Sequence, residues 1–176
     1  MQAPKPQSPL RPVDAQARDD ARAMIAAMRH ATLGVIDPLT GHPHLSRIAV
    51  QAGPDGVPVA LLSGIAAHSR ALATDPRAGL LIERAAPAKG DPLTHPRLSL
   101  QVLATVLPAS PPGADSARRR RWLAAHPRAA VFIDLPDFRF WRLTPLSALL
   151  NAGFGATFQL TGSDLIAAHG ETPPQA

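Results

Sequence analysis

The segment 62–72 carries the polar side chains with the clearest chemical use in this chain. An apolar run ends at Ser63, and the spacing that follows predicts a short helix over 66–74. Backbone N–H groups at a helix start are free and lie at the positive end of the helix dipole, so a phosphate binds well there. The polar side chains around this turn are Ser63, His68, Ser69 and Arg70. An ordinary helix start with solvated charges explains the same pattern about equally well.

Arg47 lies inside an otherwise apolar run, 44–51, which is typical of a β-strand. Because side chains alternate along a strand, Arg47 and Ser46 are predicted to point to opposite faces. An arginine inside a strand needs an anionic partner or solvent. A phosphate at the turn 63–70 would be such a partner, and a surface arginine on an edge strand is the alternative.

These residues must be positioned by a mainly β fold with peripheral helices (α+β). Short apolar runs separated by Gly, Pro and Asp predict antiparallel strands at 31–37, 44–51, 57–63, 78–84, 97–107, 138–143 and 147–159. Helices are predicted from Asp14, over 66–74, and from Asp115 to about Ala125, with a last helical turn in 161–168. Such a series of short strands is typical of a closed or partly closed barrel.

The longest predicted strand, 97–107, has one apolar and one polar face. The apolar positions are Leu98, Leu100, Val102, Ala104 and Val106, and the polar ones are Ser99, Gln101 and Thr105. One wall is therefore expected in the core and the other at a site or a partner. The domain is expected to span 14–168, between a flexible N-terminal tail (1–13) and a C-terminal tail (169–176).

Composition restricts the function classes. The chain has no cysteine, which excludes disulfides, thiolate catalysis and cysteine-based zinc sites. The formal charge is +5, but the arginines are scattered apart from the basic cluster Arg118 to Arg121. Aromatic residues make up only 4% of the chain, so nucleic-acid binding is not expected. An anionic cofactor explains the positive charge better. The sequence shows no apolar run of about 18 residues and no secretory signal pattern. We therefore expect a cytoplasmic location and no association with a membrane.

Several short motifs occur in an order that resembles one known family. They are Gly41-His42-Pro43-His44-Leu45-Ser46, Ala67-His68-Ser69-Arg70-Ala71-Leu72, Asp75-Pro76-Arg77-Ala78, Gly90-Asp91-Pro92-Leu93, His126-Pro127-Arg128-Ala129 and Gly153-Phe154-Gly155. From about Ala21 onward the chain resembles the pyridoxamine-5′-phosphate-oxidase-like FMN-binding split barrels, in their heme-iron-utilisation branch. The resemblance implies a six-stranded antiparallel split β-barrel of Greek-key type. It also implies a homodimer in which both subunits line each of two flavin sites.

The resemblance also implies which residues bind the cofactor. The residues it places around the FMN phosphate are Ser46, Arg47, Ser63, His68, Ser69 and Arg70. Lys89 is expected to approach the flavin ring or the partner subunit, and Gln101 the isoalloxazine edge. No catalytic residue and no metal site are assigned. An FMN-dependent oxidoreductase is the main prediction. Pyridoxamine-phosphate oxidation itself is not expected, because the C-terminal Arg-x-His arrangement used for that substrate is missing.

Two alternative functions stay open at this point. In the first, the protein binds or degrades heme on the same fold, with His169 as the axial iron ligand, as the resemblance to heme-binding relatives implies. An acid from the other subunit, Asp134 or Asp137, would orient this histidine. A tail histidine without a role is the simpler explanation of His169. In the second, the protein is a non-catalytic flavin- or nucleic-acid-binding module. A homodimer is expected in each case, because a barrel edge and apolar strand faces would otherwise be exposed.

Overall fold

The computed structural model describes residues 10–84, 91–109, 116–153 and 155–166. Its helices are α1 (Ala15–Ala27), α2 (Ala67–Thr74), α3 (Ala117–Ala125) and α4 (Gly162–Leu165), with 3-10 turns at Pro92–Thr94 and Pro127–Val131. Its strands are β1 (His30–Ile36), β2 (Pro43–Ala52), β3 (Pro58–Ser63), β4 (Arg77–Glu83), β5 (Arg97–Val106), β6 (Phe138–Asn151) and β7 (Thr157–Thr161). No helix within these ranges is long and apolar enough to cross a membrane.

The strands form an antiparallel barrel. Their order is β3-β2-β1-β4-β5-β6, and pairing between β3 and β6 closes the ring, while β7 extends the sheet from the other half of β6. Because a crossover places β4 beside β1, the order of the strands in the barrel differs from their order in the sequence. The predicted six-stranded barrel with peripheral helices is confirmed.

The two last strands differ from the prediction. Instead of strands at 138–143 and 147–159, one strand runs through 138–151 and a short one follows at 157–161. Pro145 does not end the long strand because a bulge lies there: Gln101 faces Ser147 and Val102 faces Pro145, which leaves Leu146 as the extra residue. Proline is tolerated in sheets at such bulges.

Inward-facing residues of every barrel strand form the main core, and α1 closes one side of it. Leu33, Val50, Leu98, Leu143 and Leu150 are all fully buried. The predicted apolar face of β5 is confirmed for Leu98, Leu100, Val102 and Ala104. It was wrong for Val106, which is 51% exposed at the last position of the strand.

A second, smaller core lies on the outer face of β2 and β3. Trp122 of α3, Ala129 of the 3-10 turn and Ile133 after it pack there with Leu61. The cap of α3 is Ser116, whose hydroxyl accepts from the Arg119 N–H at 3.2 Å, so the predicted cap Asp115 was off by one residue. The predicted cap of α1 is confirmed, since the Asp14 carboxylate accepts from the Ala17 N–H at 2.8 Å.

Candidate functional site

The predicted phosphate turn joins β3 to α2, and a carboxylate already lies against it. The Ser63 hydroxyl donates to Asp137 Oδ2 at 2.5 Å, and the Gly64 N–H donates to the Asp137 carbonyl at 2.7 Å. A Cβ added to Gly64 would lie 3.1 Å from that same carbonyl, so any other residue would require this contact to widen by a few tenths of an ångström. The start of β6 therefore covers the turn and brings a negative charge to it.

Ser46 reaches the first turn of α2 from the neighbouring strand β2. Its hydroxyl lies 3.2 Å from His68 Nδ1, on the side of the strand that faces the helix. Burial lowers the pKa of His68, and the nearby His44 ring lowers it further. Arg47 is exposed on the opposite side of β2, as strand alternation requires. Ser46 and Arg47 therefore do not approach one anion together within a single subunit.

The remaining predicted phosphate ligands lie on α2 itself. The side chain of Ser69 is buried with Ala71 and Leu72, and its hydroxyl has no hydrogen-bond partner among the described residues. Arg70 donates from its guanidinium to the Ile65 carbonyl and so closes the turn before the helix. Ala66, at the N-cap, offers no side-chain hydrogen bond. The fold thus brings Ser46, Ser63 and the three α2 residues to one region, and their role in binding phosphate stays a prediction.

A groove on the outer face of the barrel is the second candidate site. Its floor crosses four strands in register, because Leu45 pairs with Gly34, Gly34 with Gly79, and Gly79 with Gln101. The two central positions carry no side chain. A Cβ added to Gly79 would meet only the Leu100 carbonyl, at 4.0 Å. The groove has a volume of about 490 Å³, within the usual range of about 300–1,000 Å³ for ligand sites.

The walls of this groove are largely apolar. Ile36, Leu45, Leu146 and Leu149 on the surrounding outer face are between 40% and 68% exposed. At one end lies Arg77, whose guanidinium is bound to the Asp75 carboxylate at 2.6 Å and holds the pKa of that acid at about 2. Gln101, predicted for the flavin edge, also lines the groove and accepts from the Ser147 hydroxyl at 3.0 Å. An exposed apolar surface of this kind marks a ligand or partner site.

Sequence reasoning did not predict a groove at Gly34 and Gly79. The available signal was a glycine inside each of two predicted strands, which often marks a close approach of a ligand or another backbone. Their pairing across β1 and β4 depends on the crossover and is not visible in the sequence.

The residues predicted for the heme alternative are only partly described. Asp134 forms an ion pair with Arg119, with 2.7 Å between Oδ2 and Nη2, and the Arg119 hydrogen bond lowers the pKa of Asp134. Asp137 accepts from Ser63, as above. His169, and Lys89 of the flavin prediction, lie outside the described residues. Within the described ranges no three acidic or histidine side chains are grouped as metal ligands.

Comparison with known proteins places this barrel among related structures. No protein-family profile matches the chain. A curated relative, the non-canonical heme oxygenase HOZ of the Arabidopsis thaliana chloroplast, is 29% identical over 122 residues, which are 69% of this chain and 36% of that protein. A heme-binding protein from Mycobacterium smegmatis is 32% identical, covers 87% of this chain and 61% of its own, and has a TM-score of 0.72. The chain therefore spans roughly one third and three fifths of these two proteins.

Further solved structures support the fold. One chain is 56% identical with a TM-score of 0.79, and the match covers 89% of this chain and 99% of that one. The heme storage protein HutZ of Vibrio cholerae (20% identical, TM-score 0.53, covering 74% and 89%) shares the architecture. So does a pyridoxinephosphate-oxidase-family protein of Clostridium acetobutylicum (12% identical, TM-score 0.62, covering 85% and 96%). The protein is thus a split barrel of the pyridoxamine-5′-phosphate-oxidase-like type. Its similar proteins include ones described as heme-binding and heme oxygenase, which is the branch that the motifs had indicated.

Proposed function

We propose that this protein binds heme and takes part in heme utilisation, acting as a homodimer. The observation that carries the proposal is the 32% identity, over 87% of this chain, to a protein described as heme-binding. The curated relative described as a heme oxygenase supports the same choice of ligand. These similarities favour heme as the ligand over the flavin that the sequence motifs had predicted first.

The outer groove suits a porphyrin in its size and polarity. Gly79 places no side chain in the groove, the Leu45 side chain lies against Gly34, and the walls at Ile36 and Leu146 are apolar. Arg77, at the rim, would hold a propionate through its guanidinium, in competition with Asp75. Bound heme would supply an iron centre for ligand binding or oxygen chemistry. The chain would supply the apolar bed, the cation and the exclusion of water.

We propose that His169 would hold the heme iron. No histidine is among the described residues that line the groove, so the iron ligand has to come from elsewhere in the chain or from the partner subunit. We propose Asp134 or Asp137 as the acid that orients this histidine. Arg119 and Ser63 respectively hold these carboxylates in place, which suits an acid that must keep a fixed orientation.

A second subunit would cover the exposed apolar side chains around the groove. Ile36, Leu45, Leu146 and Leu149 lie on one outer face of the barrel, and burying such a patch is a common basis of dimer formation. The expected result in light scattering is a stable dimer at micromolar concentration. A cytoplasmic location is part of the same proposal and is checked by cell fractionation.

The flavin and nucleic-acid alternatives have weaker support. The turn predicted for the FMN phosphate is covered by the Asp137 carboxylate, which repels an anion. The basic cluster at the start of α3 is partly engaged within the protein, since Arg119 pairs with Asp134 and Arg118 lies 5.5 Å over the Phe140 ring. An FMN-dependent oxidoreductase is therefore kept as an outcome of the following experiment.

The test is an absorbance spectrum of the purified protein after addition of hemin or FMN and gel filtration. A Soret band that stays with the protein is expected, and His169→Ala should lose or shift it. His42→Ala, at an exposed turn, is the matched control and should keep the band. Retained flavin bands without a Soret band would refute heme binding and restore the FMN reading. An unchanged Soret band in His169→Ala would refute the ligand assignment alone.

A further inference from the structure

Asp137 occupies a position in this fold that its sequence neighbours do not reveal. It lies 74 residues after Ser63, yet its carboxylate accepts the Ser63 hydroxyl at 2.5 Å and its carbonyl accepts the Gly64 N–H at 2.7 Å. The Arg139 guanidinium donates to the carbonyls of Pro136 and Phe138, one on each side of Asp137. These contacts hold the carboxylate at the turn that leads into α2.

The turn would otherwise favour an anion. The Ser63 hydroxyl is a donor, α2 presents the positive end of its dipole, and the N-cap residue Ala66 has no side chain that could satisfy the first N–H groups. His68 and Ser46 add two further polar groups beside the first helical turn. A carboxylate fixed here takes the hydroxyl donor of Ser63 and brings a negative charge to the turn that a phosphate would have to enter.

We infer that Asp137 is a specificity-determining residue whose carboxylate fills the anion position of the β3–α2 turn and thereby excludes ligands with a terminal phosphate, FMN included. The inference concerns phosphate monoesters and does not rest on heme binding. A like charge close by disfavours the ionised form of a group, and an effect of about one pKa unit corresponds to a tenfold change in an equilibrium constant. The carboxylate should therefore weaken phosphate binding by about tenfold or more.

The experiment compares two ligands that differ only in the phosphate. FMN and riboflavin are titrated by flavin fluorescence against the full-length protein and against Asp137→Asn, which keeps the side-chain shape and removes the charge. Glu83→Gln is the matched control, because it also removes one negative charge. Glu83 is exposed and lies at the end of β4 that is remote from α2. Asp137→Ser is a second variant in case the first unfolds, and circular dichroism checks that each is folded.

The expected result is that Asp137→Asn binds FMN at least about tenfold more tightly than the unmodified protein, while riboflavin affinity is unchanged. Inorganic phosphate should compete with FMN in the variant. Glu83→Gln should bind both ligands as the unmodified protein does. Tight FMN binding by the unmodified protein would overturn the inference. So would an FMN affinity that neither Asp137 variant raises, or a rise of equal size for riboflavin.

Discussion

Replacing Trp122 tests how the second core holds α3 against the barrel. Trp122 is 1% exposed and packs with Leu61 and Ile133, and its ring centroid lies 5.5 Å from that of Phe140. Its indole N–H is buried and has no hydrogen-bond partner among the described residues. The side chain should therefore stabilise the fold through its apolar area and its ring contacts, and not through a hydrogen bond.

Two substitutions separate these contributions. Trp122→Ala leaves a large cavity and should lower the free energy of unfolding by about 3–5 kcal/mol. Trp122→Phe also removes volume, but it relieves an unpaired buried donor whose desolvation costs about 1–3 kcal/mol, so its net cost should stay below about 1.5 kcal/mol. In a chain of this size about 1 kcal/mol corresponds to about 2–4 °C in Tm, so the two variants should be well separated in a thermal melt.

The assay is urea unfolding followed by circular dichroism and by the fluorescence of Trp141, the other tryptophan of the chain. Val131→Ala is the control, because Val131 is 83% exposed in the adjoining 3-10 turn and should change stability by less than about 0.5 kcal/mol. A Trp122→Phe variant as unstable as Trp122→Ala would refute the reasoning. It would show that the indole N–H makes a bond that contributes to stability.

Three further predictions concern the groove and the ionisable groups. Gly79→Leu should fold normally, because a Cβ at this position has room. It should weaken hemin binding by about tenfold or more in an absorbance titration. An unchanged affinity would exclude the groove as the heme-binding site. Burial lowers the pKa of His68 and His126 below the ordinary 6.5, so the unfolded chain binds more protons in that range. Stability measured by denaturation should therefore be intact above pH 6.5 and decrease as the pH falls below it, and the decrease should be smaller in His126→Phe. The hydrogen bonds from Thr161 and Arg18 lower the pKa of Asp164 from 3.8 to about 2. Its contribution should be complete above pH 3.8 and disappear as the pH approaches 2, and Asp164→Asn should cost about 1 kcal/mol at neutral pH, where partial exposure weakens the pair; equal melts of the two proteins would contradict this.

Local patterns in the sequence were sufficient to predict most of the elements. Strand alternation assigned Ser46 and Arg47 to opposite faces, and it assigned Leu98, Leu100 and Val102 to the core. This works because successive side chains along a strand point to opposite faces of the sheet. The cap at Asp14 was visible for the same reason, since a cap binds an N–H only a few residues away. The motifs that indicated the family are likewise short and local.

The tertiary structure decided which of these elements meet. Closure of the barrel between β3 and β6 brings Asp137 to Ser63 and turns a predicted phosphate turn into one that already holds a carboxylate. The crossover that places β4 beside β1 aligns Gly34 with Gly79 and creates the floor of the groove. Both contacts join residues far apart in the chain, and their formation depends on the order in which strands pair. No local pattern encodes that order, because the pairing is selected by the burial of the whole core.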